Sequence, residues 1–218
     1  MVHLQGHAGG GVKTVSMNGH RLEVVEESTR VGHVISTRNV ARYPPQDARA
    51  EVARTRAARA VDAPGRSDDR VRLRTTSVIT TLTCGTQWAW PSVARLQALR
   101  AAVVKAVWGR RRMTRCAEIV VGLLYKPPRL DPWAAIIYHV ISSAMRVLAA
   151  SEVVRIQAYR MWCLLKDLRL TRAPGPVEGL CRAAASLGAH LAFDDEAQPY
   201  LEGPLVQGRW YLLGGDDR

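Results

Sequence analysis

Paired acids, a glycine-rich loop with a lysine, scattered cysteines and histidines, and clustered arginines are the side chains whose types and spacing could do chemistry in this chain. Adjacent carboxylates such as Asp68-Asp69 can hold magnesium ions for phosphoryl transfer. This pair lies in Gly65-Arg66-Ser67-Asp68-Asp69-Arg70, a polar linker rather than the end of an apolar strand that would fix it. Helix capping and solvation are the expected roles. Gly6 to Thr14, GHAGGGVKT, has the residue types of a phosphate-binding loop, but Val12 separates Gly11 from Lys13 where the cradle needs Gly-Lys-Thr in succession. His3 and His7 lack a third ligand nearby. Cys84, Cys116, Cys163 and Cys181 are far apart, so neither a zinc site nor a disulfide framework is expected, and free, mostly buried thiols are. No Ser/His/Asp or Cys/His triad has a motif around it. Asp194-Asp195-Glu196 and Asp216-Asp217 read as a solvated acidic tail.

What remains is arginine. The chain of 218 residues carries 31 Lys plus Arg against 19 acids, a net charge of +12, and its pI is near 10.3. Such a balance is unusual for a small-molecule enzyme and points to nucleic acid, an anionic surface or an acidic partner. It is regional: residues 1 to 130 hold a net +13 and residues 131 to 218 a net −1. Only four of the cations are lysines, which suits bidentate phosphate contacts. With 47% apolar residues there is enough material for one sizeable domain or two small ones.

The elements that must position these arginines centre on Gln87 to Arg115. Ser92 can cap a helix after Pro91, and Val93, Leu96, Leu99, Val103 and Val107 recur at helical spacing, widened by Val104 and Trp108. Gly109 ends it, and Arg110, Arg111, Arg112 and Arg115 follow where a helix macrodipole favours cations. Arg100 falls inside the apolar arc, where a guanidinium needs a partner or a snorkelling path.

Elsewhere, alternation around Asn18-Gly19 predicts a β-hairpin, and Arg30 to Ser36 a third short strand. Residues 1 to 11 are expected to be a flexible N-terminus. Helices are expected from Gln46 to Ala60, with Arg49, Arg54, Arg56 and Arg59 solvated, and through the threonine-rich Val71 to Trp88. Further helices are expected over Thr114 to Tyr125, after Asp131 as N-cap and Pro132 at the first position, over Ser151 to Leu170, and over Val177 to Leu191. Ile136, Ile137, Val140, Ile141, Met145 and Leu148 form one expected core stripe, and Val153, Val154, Ile156, Met161, Leu164 and Leu165 another. Trp133 to Met145, the longest apolar run, is too short to span a bilayer, and no membrane partner is expected.

Four segments, taken in order, carry a resemblance. Lys13-Thr14 with Val15-Ser16-Met17 looks like the Lys-Thr element after the catalytic aspartates of a polymerase palm, and Arg30 to Ser36 like the aromatic-Leu-Gly-x-x-Ile segment of a primer-grip hairpin. Cys84-Gly85 with Trp88, then Leu96 to Trp108 and the arginine cluster, look like two thumb helices. In this order they resemble the C-terminal part of the reverse transcriptase of non-LTR, LINE-type retrotransposons. Gly175-Pro176-Val177 matches a downstream segment of the same family less specifically.

The resemblance implies an α+β, mainly α fold: a small N-terminal β-hairpin sheet followed by a helical, thumb-like bundle. Its expected divisions are a palm-end and primer-grip-like hairpin at 12–37, a basic thumb-like region at 38–125, an apolar helical region at 126–191 and an acidic tail with a short strand at 192–218. The family's Tyr/Phe-x-Asp-Asp metal site would lie upstream of Lys13, and Asp68-Asp69 follows the primer-grip segment and cannot replace it. Arg30 and Val31 also stand where the family has an aromatic residue and leucine. The expectation is a fragment of an RNA-directed DNA polymerase, inactive alone, with no cofactor of its own although the intact enzyme uses magnesium. Its expected ligand is an RNA/DNA duplex bound through Lys13, Arg95, Arg100, Lys105, Arg110, Arg111, Arg112 and Arg115. Its expected location is intracellular, nuclear or cytoplasmic. The alternatives are a non-enzymatic basic helical module for an acidic protein partner, or a decayed gene remnant.

Overall fold

The computed structural model describes residues 2–4, 14–17, 20–23, 27–30, 33–36, 44–62, 69, 72, 75–108, 130–167, 175–204 and 206–213. The chain divides into two units, Met1–Arg38 and Asn39–Arg218.

In the first unit β2 (Thr14–Met17) and β3 (His20–Glu23) pair antiparallel with Met17 opposite His20, the hairpin that the flanking alternation predicts. β1 (Val2–Leu4), within the stretch expected to lack structure, adds to β2 as a third strand. The single strand expected over Arg30 to Ser36 is instead the meeting of two: β4 (Glu27–Arg30) and β5 (His33–Ser36) pair with Arg30 opposite His33.

The second unit begins with α1 (Pro44–Arg59), started by two prolines, carrying Asp47 in its first turn and rich in alanine. Its Ala50, Ala53 and Ala57 are buried, and these small side chains let neighbouring helices come close. The threonine-rich segment is helical: a π-helical stretch (Thr75–Ile79) leads into α2 (Thr80–Thr83). Its β-branched residues favour a strand by propensity, but their hydroxyls bond back one turn, Thr81 to the Ser77 carbonyl at 2.7 Å and Thr83 to the Ile79 carbonyl at 3.0 Å.

α3 (Val93–Trp108) packs along α1 and buries Leu96, Leu99, Val103 and Val104. Val93, expected in its core stripe, is exposed. The Thr114 to Tyr125 segment lies outside the described residues. α4 (Pro132–Ala150) starts as expected: the Asp131 carboxylate accepts from the Trp133 N–H at 2.8 Å and proline stands at the first position. It outruns the expected run at both ends and, among the described residues, is the one helix long and apolar enough to cross a membrane by length and composition. Its Ala135, Ile136, Val140, Ile141 and Leu148 are buried. α5 (Glu152–Asp167) and α6 (Pro176–Ser186) pack along it, and α2 and α3 also touch it.

Two corrections concern the C-terminal third. α5 turns Val153, Ile156, Met161 and Leu164 outward, whereas Tyr159 and Trp162 face the core in ring contact with Phe193. The two rings offer far more area than the aliphatic side chains and decide which face goes in. The expected order, an N-terminal hairpin sheet followed by a helical bundle, is also overturned. The helical unit carries its own three-stranded antiparallel sheet after the helices, made of β6 (His190–Phe193), β7 (Pro199–Gly203) and β8 (Val206–Tyr211). The acidic triplet hides it in the sequence because it is the turn: Asp194 Oδ1 accepts from the Glu196 N–H at 3.0 Å and the Gln198 N–H at 2.7 Å. Leu191, Phe193 and Leu201 then join the helical core, and the Trp162 indole N–H donates to the Leu191 carbonyl at 3.1 Å.

Candidate nucleic-acid interface

The basic surface is built on α1 and α3, and its geometry follows from two carboxylates. Asp47 Oδ1 accepts from the Ser92 N–H at 2.7 Å, joining the starts of the two helices. One turn on, Glu51 holds Arg54 within α1 and reaches Arg95 of α3 at 2.9 Å. The helices therefore run in the same direction. Their negative dipole ends lie at the same end of the pair, which places cations favourably there: Arg56 and Arg59 occupy the last turn of α1, and Lys105 that of α3. Between the helices runs a shallow groove of about 420 Å3, floored by Ala58, Ala98, Ala101 and Ala102 and edged by Arg54 and Lys105.

Several arginines expected to be solvated are engaged instead. Arg49 and the Gln46 amide both donate to the Cys84 carbonyl, and Arg56 donates to the Thr81 hydroxyl and the Ser77 carbonyl. These bonds tie α1 to the threonine segment, a role that no spacing in the sequence announces. The hydrogen bond from Arg54 holds the Glu51 carboxyl below the usual carboxylate range, and the guanidinium is raised in return. The two side chains keep 44% and 35% of their surface exposed, so water screens the pair.

The expected binding residues separate into three groups. Lys105 is exposed at the groove's edge. Arg95 is exposed and paired with Glu51. Arg100 reaches Asp131 Oδ2 at 2.8 Å with side-chain exposures of 28% and 9%, so the guanidinium in the apolar arc has its partner on the chain before α4. Lys13, Arg110, Arg111, Arg112 and Arg115 lie outside the described residues, as do Asp68 and Cys116.

Among the described residues, no three His, Cys, Asp or Glu side chains gather as a metal site. His139 on α4 lies 3.0 Å from the Gln87 amide nitrogen and is held below its ordinary value by burial, then by Arg146. Burial pushes the Cys181 thiol up to about 11, which suits packing and not nucleophilic attack. Comparison with protein-family models, curated proteins and solved structures returns no match.

Proposed function

We propose that this chain binds nucleic acid through its phosphate backbone, using the exposed face that α1 and α3 share and the arginine-rich segment after α3. The observation that carries this reading is regional charge on a matching shape: residues 38 to 115 hold 17 cations against 5 acids, and a groove with an alanine floor and cationic edges runs along the two helices. Small side chains let a backbone approach closely, and cations at the edge neutralise phosphates without reading bases. The resemblance to non-LTR reverse transcriptases points to the same ligand, a primer-template duplex tracked without sequence preference. In that setting the chain is a retroelement-type segment whose part is holding, with the catalytic aspartates supplied elsewhere.

The test is anisotropy of a labelled RNA/DNA hybrid titrated with the full chain over a range of salt. Tight binding at low ionic strength, with log affinity falling linearly in log salt by about 0.9 for each phosphate neutralised, is the expected result. Absence of salt-dependent binding rejects the proposal.

One observation favours a second reading, a helical protein-interaction module. Val153 and Leu164 on α5 are 65% and 50% exposed, an apolar face without a described cover. A stoichiometric protein retained through nuclease treatment, in place of copurifying nucleic acid, would select that reading.

A further inference from the structure

A cleft along α4 has a composition that backbone binding does not use. It measures about 1180 Å3, and Trp133, Tyr138, His139, Arg146 and Trp210 are among the side chains lining it. Tyr138 and Trp210 are 62% and 51% exposed, so core packing does not account for them. Trp133 is half-buried and held edge-on against the buried Trp90, with centroids 6.4 Å apart. Tyr138 and Arg146 stand two turns apart on α4, with Ser142 between them, so a ring and a guanidinium share one face of the helix.

The charges narrow the occupant. Arg146 donates to the Ser142 carbonyl at 3.2 Å and the Ser143 hydroxyl at 3.5 Å; both acceptors are neutral, and among the described residues no carboxylate pairs with it. Arg100 and Asp131, also in the lining, pair with each other. His139 is held in its neutral form at pH 7. A fitting ligand is therefore anionic and presents flat π-faces. A duplex keeps its base faces stacked inside, an acidic peptide has the charge without the faces, and an unpaired nucleotide has both.

We propose that this cleft binds unpaired nucleotides of a single strand, with bases stacked on Tyr138 and Trp210 and phosphate at Arg146. The inference rests on the proposed function for its ligand class, and adds to it a second site, on α4 and β8, for the strand where it leaves a duplex.

The experiment compares labelled oligo(dT), oligo(U) and a blunt RNA/DNA hybrid, each titrated with the full chain and with Tyr138→Ala, Trp210→Ala, Tyr138→Phe and Trp210→Phe. Each Ala variant is expected to weaken single-strand binding about tenfold and to leave hybrid binding within about twofold, with the Phe variants near the parent. The oligo(dT) and oligo(U) arms separate DNA from RNA. Both rings are exposed, so unchanged melting temperatures should accompany these effects. Single-strand binding that neither Ala variant moves, equal losses for single strand and hybrid, or capture of a polyglutamate peptide with the same sensitivity to both rings, would each overturn the cleft assignment. Loss of hybrid binding alone in the parent chain would sink the proposed function and leave this site standing.

Discussion

Arg100 and Asp131 show how one residue's role turns on a partner far along the chain. Arg100 sits in the apolar arc of α3, and the carboxylate that meets it also caps α4, so a single aspartate fixes the start of one helix and neutralises a cation on another. Removing it takes from the mostly buried Arg100 side chain its ion pair at 2.8 Å and from α4 its cap. Asp131→Ala is expected to cost about 2–4 kcal/mol in urea denaturation, and Asp131→Asn, which can still cap, distinctly less.

His139 gives a second prediction at this scale. Its folded-state pKa lies below its ordinary 6.5, because burial first and Arg146 second disfavour the imidazolium. Between the two values the unfolded chain binds more protons, so stability should fall as pH drops below about 6.5 and level off beneath the folded value. Glu178, raised above 4.5 chiefly by burial, acts in the opposite sense at lower pH. The difference between the parent and His139→Gln in urea midpoint against pH isolates the histidine, and a difference that is flat from pH 7 to 5 would exclude this linkage.

At the scale of elements, one tight constraint is where α6 crosses the turn before α3. A Cβ on Gly179 would lie 2.8 Å from the Gln87 carbonyl oxygen, a backbone atom that cannot swing away, and the Gly175 N–H donates to the Trp88 carbonyl at 3.1 Å beside it. Alanine is the better helix former by about 1 kcal/mol, yet the contact should outweigh this gain. Gly179→Ala is expected to lower stability by about 1–3 kcal/mol, read as a shifted thermal midpoint. α5 carries the complementary lesson. Its aliphatic residues recur at helical spacing and predict an inward stripe, but a helical wheel finds an apolar face without saying which of two such faces meets the core. The stack of Tyr159 on Trp162, with Phe193 against both, decided it, and Phe193 belongs to a strand hidden by the acidic turn that follows it.

For the whole molecule the question is how net charge becomes a surface. The +12 is far from evenly available: Arg49 and Arg56 bind backbone and hydroxyl groups, and Arg54, Arg95 and Arg100 face carboxylates. Cations already paired with carboxylates contribute less to a phosphate track than the sequence total suggests. This raises the weight on Lys105 and on the cluster beyond α3. Replacing Arg110, Arg111 and Arg112 with Ala is expected to reduce the salt slope of hybrid binding by roughly one for each arginine that meets a phosphate, with the melting temperature unchanged. An unaltered slope would return those residues to the role of cations near a helix end.

The sequence by itself determined what depends on neighbours along the chain. The Asp131-Pro132 start of α4, the Asn18-Gly19 hairpin register and the buried face of α3 at Leu96, Leu99 and Val103 follow from local sterics, capping and periodicity. It also located the charge. The tertiary structure alone decided which arginines are engaged, which face of α5 is inside, that the C-terminal acidic stretch closes a sheet, and that Tyr138, Arg146 and Trp210 share a cleft. These outcomes are set by contacts between residues distant in sequence, where burial of large rings and pairing of charges outweigh local preference.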